Sequence, residues 1–240
     1  MISIPLFLSK AHECSYLDSE SAQSAFVHPA YPMTTELYAQ LLDNGFRRSG
    51  DDVYVPQCLT CNACIPVRVD VKKFTPNRSQ KRCCKKNIQT QAVIKSAVFE
   101  PAHYEMYLRY QAARHGDGSM ANASPDDYMA FLGSSWCNTR FVEFSIDNKL
   151  AGIAVIDQFE KAWSAVYTFF EPEFAHYSLG VYAVLWQIEQ AKLQDKDYLY
   201  LGFWIKDCQK MAYKSDYRPQ ILINNQWQEL TYLFRPLMNK

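Results

Sequence analysis

Residues 163–204 carry the pattern that most restricts how this chain can fold: an apolar run, a break, an amphipathic helix and a second apolar run. The first run, WSAVYTFF (163–170), is aromatic and β-branched and suits a buried strand, which Glu171-Pro172 breaks. Ser178-Leu179-Gly180 then opens a helix whose apolar positions Val181, Val184, Leu185, Ile188 and Ala191 share one face. A second strand, YLYLGFW (198–204), follows a turn rich in Asp and Lys. Strand, open helix N-terminus, helix, strand is how α/β proteins present backbone N–H groups to an anionic or acyl ligand. KDCQKMAYK (206–214) places cations where such a ligand would sit. The segment reads as a transferase site.

The rest of the chain is organised around this core. TTELYAQLLDNG predicts a short helix over 37–42, with Thr34 or Thr35 near its start and Gly45 past its end. FRRSGDDVYVP predicts a hairpin turning at 49–52, IPVRVDV a strand by alternation, and NRSQKRCCKKN a polar helix or turn. From Gln91 a strand (91–98) leads to a helix after Pro101. A second helix starts at Ser124-Pro125 with Asp126 and Asp127 in its first turn, where cap, proline and acids all favour initiation. TRFVEFSI and LAGIAVID alternate as strands joined at Asp147-Asn148-Lys149, which is hairpin chemistry. A terminal hairpin is expected near Asn224-Asn225.

At 240 residues, 48% apolar and 21% charged, the chain can bury one or two sizeable cores and is an ordinary globular protein rather than a disordered one. MISIPLFLSK has no basic flank before its short apolar run, so it does not read as a secretory signal, and no run approaches a membrane span. A cytoplasmic setting is expected, with no membrane partner. There the eight cysteines read as thiols, metal ligands or core residues rather than disulfides. Twenty-five basic and 25 acidic side chains cancel overall. Between residues 68 and 95, however, Arg68, Lys72, Lys73, Arg78, Lys81, Arg82, Lys85, Lys86 and Lys95 stand against Asp70 alone. Such a run is either a solvated face or the footprint of a phosphate-bearing partner.

From residue 89 onward the expected order is strand, two helices, three strands, helix, strand, helix and terminal hairpin. This resembles the acyl-CoA N-acyltransferase (GNAT) fold, whose central strands splay to admit an acyl donor. The chain is therefore expected to be α/β, with a GNAT-like domain at 89–240 and a smaller, Cys-containing α+β domain at 1–88. A pyrophosphate loop of the Q/R-x-x-G-x-G/A kind is expected of an acetyl-CoA enzyme, and HYSLGVY departs from it, which argues against acetyl-CoA as donor.

Several motifs converge on one family. SAVYTFF (164–170), SLGVY (178–182), YLGFWI (200–205) and CQKMAYK (208–214) resemble the aminoacyl-tRNA:protein transferases of the N-degron pathway. NGFRRSG (44–50), YVPQCLTCNACIPVRV (54–69), RSQKR (78–82) and RHGDGSM (114–120) do so as well, in the expected order. The short N-terminal half and the triple-cysteine run resemble the bacterial branch. That resemblance implies transfer of leucine from leucyl-tRNA to the N-terminal α-amine of proteins beginning with Asp or Glu, marking them for degradation; the eukaryotic branch transfers arginine. A metal-stabilised RNA-binding module with a degenerate GNAT-like domain is the competing class. It would tolerate loss of Lys210, Tyr213 and Lys214 while depending on the basic run.

An aminoacyl ester is already activated, so the enzyme must mainly bring a neutral amine to it, and no cofactor is required. The site residues expected to act are His115, Tyr167, Lys210 and Lys214. Lys210 and Lys214, four apart, would share a face if helical, and bind tRNA terminal phosphates or the acceptor's acidic side chain. Arg114 is a candidate for gripping that carboxylate and His115 for base or helix cap. Ser178, Gly180 and Tyr213 complete the expected substrate contacts, with Ser178 also the simplest helix N-cap. Tyr167 is equally readable as strand core, and Asp157 as a residue orienting the amine. Arg78, Lys81, Arg82, Lys85 and Lys86 are expected to meet tRNA. Cys58, Cys61 and Cys64 form C-x-x-C-x-x-C, and Cys14 aligns with the start of the family's N-terminal motif. These four are either buried or redox-sensitive thiols or the ligands of zinc or an iron–sulfur cluster. Leu17 stands where eukaryotic members carry a second cysteine. Cys137 reads as an isolated thiol, and Cys208 has no evident partner.

Overall fold

The computed structural model describes residues 3–115 and 122–230, without the side chain of His115. In chain order it forms β1 (Leu6–Leu8), β2 (His12–Glu13), β3 (Ser21–Ala22), β4 (Ser24–Val27), α1 (Thr35–Asp43), β5 (Arg47–Ser49), β6 (Asp52–Pro56), β7 (Ile65–Asp70) and α2 (Arg78–Lys86). It continues through β8 (Gln91–Ser96), α3 (Pro101–His115), α4 (Pro125–Leu132), β9 (Thr139–Ile146), β10 (Lys149–Gln158), β11 (Ala162–Phe170) and α5 (Leu179–Leu193). β12 (Tyr198–Trp204), α6 (Gln209–Ala212), β13 (Gln220–Ile223) and β14 (Gln226–Glu229) complete it. From residue 89 this is the GNAT-like order that the sequence predicts, in a mixed α/β protein.

Local chemistry accounts for most element ends. Thr34 Oγ1 accepts from the Leu37 amide to start α1, and Gly45, at φ +85°, turns the chain out of it. Asn77 and Gln80 close a capping box on α2, as do Ser124 and Asp127 on α4, where Pro125 takes the first helical position. Asp147-Asn148 and Asn224-Asn225 all have positive φ, as tight two-residue hairpins require.

The large sheet has eight strands in the order β14-β13-β7-β12-β11-β10-β9-β8, and a four-stranded sheet runs β1-β4-β6-β5. One apolar cluster joins Met106 and Tyr107 of α3 and Tyr128 and Leu132 of α4 to Phe141, Ile153, Val155 and Phe169 of the sheet. A second joins Val184, Leu185, Ile188 and Ala191 of α5 to Val67, Val142, Phe144, Ala154, Trp163 and Leu199. A third packs Tyr38, Leu41 and Leu42 of α1 against Val53, Phe159, Ala162 and Tyr200. The sheet is thus covered on both faces, which explains the near-continuous apolar reading of β10. β7, on the N-terminal side of the 88/89 division, lies between β12 and β13.

Two expectations for α5 change. Val181 is exposed, while Leu179, Ala183 and the fully buried Gln187 turn inward; Leu179 packs with Ile146, Ala151 and Phe170, and α2 lies alongside α5. Ser178 does occupy the N-cap position, but its side chain makes no cap hydrogen bond and its backbone is left-handed at φ +58°.

Candidate active site

β11 and β12 are parallel but pair only as Ala162 with Tyr198, Trp163 with Leu199 and Ser164 with Tyr200. Beyond Ser164 they part. β11 follows β10 after a register shift at Val155/Ile156, and β12 follows β7 after one at Tyr200/Gly202. Residues 165–168 are consequently part-exposed in the middle of a central strand, which marks an opening in the sheet.

Gly202, at φ +81°, sits at the root of this opening. Only glycine takes that backbone readily, and the bulge it permits turns β12 away. A Cβ built there would lie 3.6 Å from Lys214 Nζ and 3.8 Å from Arg47 Nε. Lys214 is buried, donating to the Phe203 carbonyl at 2.6 Å and lying 3.5 Å from Met211 Sδ. Burial, then Arg47, push its amine down to about 7 against the opposite pull of Cys208 and Cys64. Arg47 donates to Phe46 O, Gly202 O and Val67 O, while its buried Nε has no partner among the described residues. Lys210 is exposed, unlike Lys214. α6 gives way to a 3-10 turn at Tyr213–Tyr217, whose period of three aligns Lys214 with Met211 rather than with Lys210.

On the β11 side, the Tyr167 hydroxyl accepts from Gln111 Nε2 at 3.0 Å, leaving its own proton free to donate. Burial and Tyr110 push this phenol above its usual value, so it stays protonated. Tyr110 stacks edge-on with Phe170, and the Arg114 guanidinium lies 5.7 Å from the same ring. A Cβ on Gly180 would be 3.6 Å from Phe170, so Arg114 and the start of α5 share one apolar neighbour. Tyr213 is 45% exposed, and its phenol is raised by burial of its inner part and by Tyr110. The chemistry expected of the His115 side chain, and residues 116–120 of its motif, lie outside the described residues.

The basic run is not one patch. Arg68 is buried between Tyr198 and Trp227, 3.6 and 4.2 Å from their ring centres, and binds Asp43 at 2.7 Å. Lys72 pairs with Asp195 and Asp197, Lys73 with Asp70, and Lys95 with Glu143. What remains is α2. Arg78, Lys81, Arg82, Lys85 and Lys86 are exposed on it, and none forms an ion pair among the described residues. Lys86 Nζ donates to His176 O at 2.7 Å and Asn87 Nδ2 to Tyr177 O at 2.9 Å, so the end of α2 adjoins the start of α5.

Cys14, Cys58, Cys61 and Cys64 line one cavity of about 350 Å³ together with Tyr16, Tyr54 and Phe203. Burial and then the other three thiols push Cys64 up to about 12. A thiol raised in this way keeps its proton, so the four cysteines become a four-coordinate thiolate set only when a metal displaces their protons. Among the described residues, though, the ligand atoms that lie within 4.8 Å of one another are those of Glu100, His103 and Glu143, and Lys95 Nζ already meets Glu143 at 2.7 Å. Asp157 is tied elsewhere than to a substrate amine. It is fully buried in a bidentate pair with Arg48 at 2.7 Å and accepts from Thr139. Cys137 lies half-buried beside that pair; burial and then Asp157 raise its thiol, against the opposite pull of Arg48. Cys208 is buried and adds to the field at Lys214.

Arg47, Gly202 and Gln111 escaped the sequence reading. Two signals were present: a glycine inside an apolar strand, and two adjacent arginines in a strand, where alternation must turn one of them inward.

Two family models match the chain, the N terminus of arginine-tRNA-protein transferase over residues 12–82 and its C terminus over 102–224. The aspartate/glutamate leucyltransferase of Saccharophagus degradans is 49% identical over 232 residues, spanning 96% of this chain and 98% of that protein. That of Pseudomonas fluorescens is 44% identical over 225 residues, spanning 93% and 96%. Among solved structures, FemX overlays with a TM-score of 0.48 at 9% identity, covering 87% of this chain and 81% of that one. No helix among the described residues is long and apolar enough to cross a membrane.

Proposed function

The chain belongs to the arginine-tRNA-protein transferase family, and we propose that it transfers leucine from leucyl-tRNA to the N-terminal α-amine of proteins that begin with Asp or Glu, creating an N-degron in the cytoplasm. The observation that carries the reading is the opening between β11 and β12, with Tyr167 on one lip and Lys214 at its root. The near full-length likeness to two leucyltransferases supports leucine as donor and Asp or Glu as acceptor.

In this reading the leucyl ester enters the opening and the acceptor amine attacks its carbonyl carbon. A C–N bond forms and the ester C–O bond breaks. Holding the two together supplies most of the acceleration. An α-amine titrates near ~8, so a weak base or water suffices to take its proton, and His115 is the side chain proposed for that task. The Tyr167 hydroxyl, held by Gln111, donates to the oxyanion or to the departing ribose oxygen. Arg114, Tyr213, the Ser178 hydroxyl and the Gly180 amide hold the donor's end around Phe170, the Ser178 amide being bonded to the Ala175 carbonyl. Lys210, exposed just outside, meets a phosphate. Arg78, Lys81, Arg82, Lys85 and Lys86 follow the acceptor stem toward α5.

Residues 1–88 supply this basic helix, the thiols, Arg47 and the strand β7, and 89–240 the rest of the transfer framework. Cys14, Cys58, Cys61 and Cys64, as thiolates, would hold zinc or an iron–sulfur cluster that fixes their loops near β12 and takes no part in the transfer step.

The test is transfer of labelled leucine or arginine from charged tRNA to peptides beginning with Asp, Glu or Lys. Leucine incorporation confined to the Asp and Glu peptides is expected. Arginine incorporation would replace the donor, and no transfer from either would overturn the enzyme reading.

A further inference from the structure

Among the described residues four lysines or arginines are buried: Arg47, Arg48, Arg68 and Lys214. Two of them have an acid. Arg48 grips Asp157, and Arg68 binds Asp43. Arg47 and Lys214, at 6% and 7% exposure, have none among the described residues, although they flank the same point above Gly202. Burying two neighbouring cations without a counter-ion costs free energy that the fold recovers at Arg48 and Arg68 by pairing. Here the side-chain neighbours among the described residues include a thioether, thiols, a phenol and a phenyl ring, from Met211, Cys64, Cys208, Tyr200 and Phe203, and no carboxylate. The missing partner is an anion from outside.

Geometry narrows that anion. The shared point lies where a side chain on Gly202 would be, within ordinary contact of Lys214 Nζ and of the unpartnered Arg47 Nε. It stands two residues past the last β11–β12 pair, at the root of the opening where the acceptor amine must arrive. A tRNA phosphate, flanked by two riboses, is too bulky for two cations covered this deeply. A carboxylate on one or two methylenes is not.

We propose that Arg47 and Lys214 form the pocket that receives the side-chain carboxylate of the acceptor's first residue, so that specificity for acidic N-termini resides in this buried cation pair. The inference rests on the reading of the protein as a transferase acting on Asp or Glu N-termini. Arg47 Nε and Lys214 Nζ donate to the two carboxylate oxygens, and the backbone amine of the same residue is left pointing along the opening toward Tyr167. No bond is made or broken at this pocket. The glycine is part of the device, because any side chain at position 202 would fill the carboxylate's place.

The experiment compares kcat/KM for peptides beginning with Asp, Glu, Asn and Gln, using the full chain and leucyl-tRNA, in the unaltered protein and in Arg47→Gln, Lys214→Met and Arg114→Ala. The expected result is a fall of about tenfold to hundredfold in the Asp-to-Asn and Glu-to-Gln ratios for Arg47→Gln and for Lys214→Met, the scale of losing a charge-assisted hydrogen bond. The KM for leucyl-tRNA is expected to stay as it was in Arg47→Gln and Lys214→Met, and to rise in Arg114→Ala. Arg47 also braces three carbonyls, so Lys214→Met serves as the second variant should Arg47→Gln not fold. Ratios preserved in the variants that fold, with all acceptors slowed alike, would overturn the pocket and leave the cations structural. A ratio that collapses only in Arg114→Ala would move recognition to α3 and overturn it too. Failure of the unaltered protein to prefer Asp and Glu would instead sink the functional reading itself, an outcome visible before any variant is made.

Discussion

Lys214 gives up its proton far more readily in the folded chain than in the unfolded one. Burial and Arg47 push its amine down to about 7, with Cys208 and Cys64 opposing, whereas an unfolded lysine titrates near ~10.4. Between those values the unfolded chain binds more protons than the folded one, so this residue makes stability rise with pH from about 7 to about 10. At pH 7 the penalty is of the order of a few kcal/mol. Lys214→Met should therefore raise the melting temperature of the full chain at pH 7, and by clearly less at pH 9.5. A melting temperature lowered equally at both would mean that the amine is held as a satisfied ammonium. The residue itself was legible in the sequence, inside the KMAYK motif. Its burial was not, because a helical reading of that motif aligns Lys210 with Lys214, and the 3-10 turn aligns Met211 with it instead.

At the scale of elements, α2 shows how a short polar helix persists without a core of its own. Asn77 and Gln80 close its first turn, Gln80 also reaches Asp216 O, and Asn87 ties its end to Tyr177 O. Lys81 and Arg82 have no role in that framework, in contrast to Lys86, which donates to the His176 carbonyl. Lys81→Glu with Arg82→Glu should thus leave the melting temperature within about 1 kcal/mol of stability of the unaltered value, since both sites are exposed. The same pair should weaken tRNA binding. If both residues meet phosphates, the slope of log affinity against log salt should become shallower by about 1.4 to 1.8. Binding titrations at several salt concentrations read this directly, and an unchanged slope would remove α2 from the tRNA path. The basic run pointed to a phosphate-bearing partner. It did not say that Arg68, Lys72, Lys73 and Lys95 spend their charge on Asp43, Asp195, Asp197, Asp70 and Glu143.

Across the whole molecule, β7 joins the two parts of the chain in one sheet. It pairs with β12 along Tyr198–Trp204 and also with β13, which carries β14. A fragment of residues 89–240 would leave one side of β12 unpaired and detach β13 and β14 from the sheet. It is expected to show no cooperative thermal unfolding alone and to regain it when co-expressed with residues 1–88; a cooperative melt of the fragment by itself would contradict this. What the sequence determined by itself is local: the order of elements from residue 89, the caps on α1 and α4, the tight turns at Asp147-Asn148 and Asn224-Asn225, and the motifs that point to one family. Those features depend on hydrogen bonds and periodicities a few residues long, which a linear reading contains. Only the tertiary structure decided where β11 and β12 part, that β7 is central, and which cations are buried with a partner or without one. Arg48 meets Asp157 across 109 positions and Arg47 meets Gly202 across 155. Whether a charge is buried, paired or left waiting for a ligand depends on such distant neighbours, because desolvation and Coulomb attraction act through space and not along the chain.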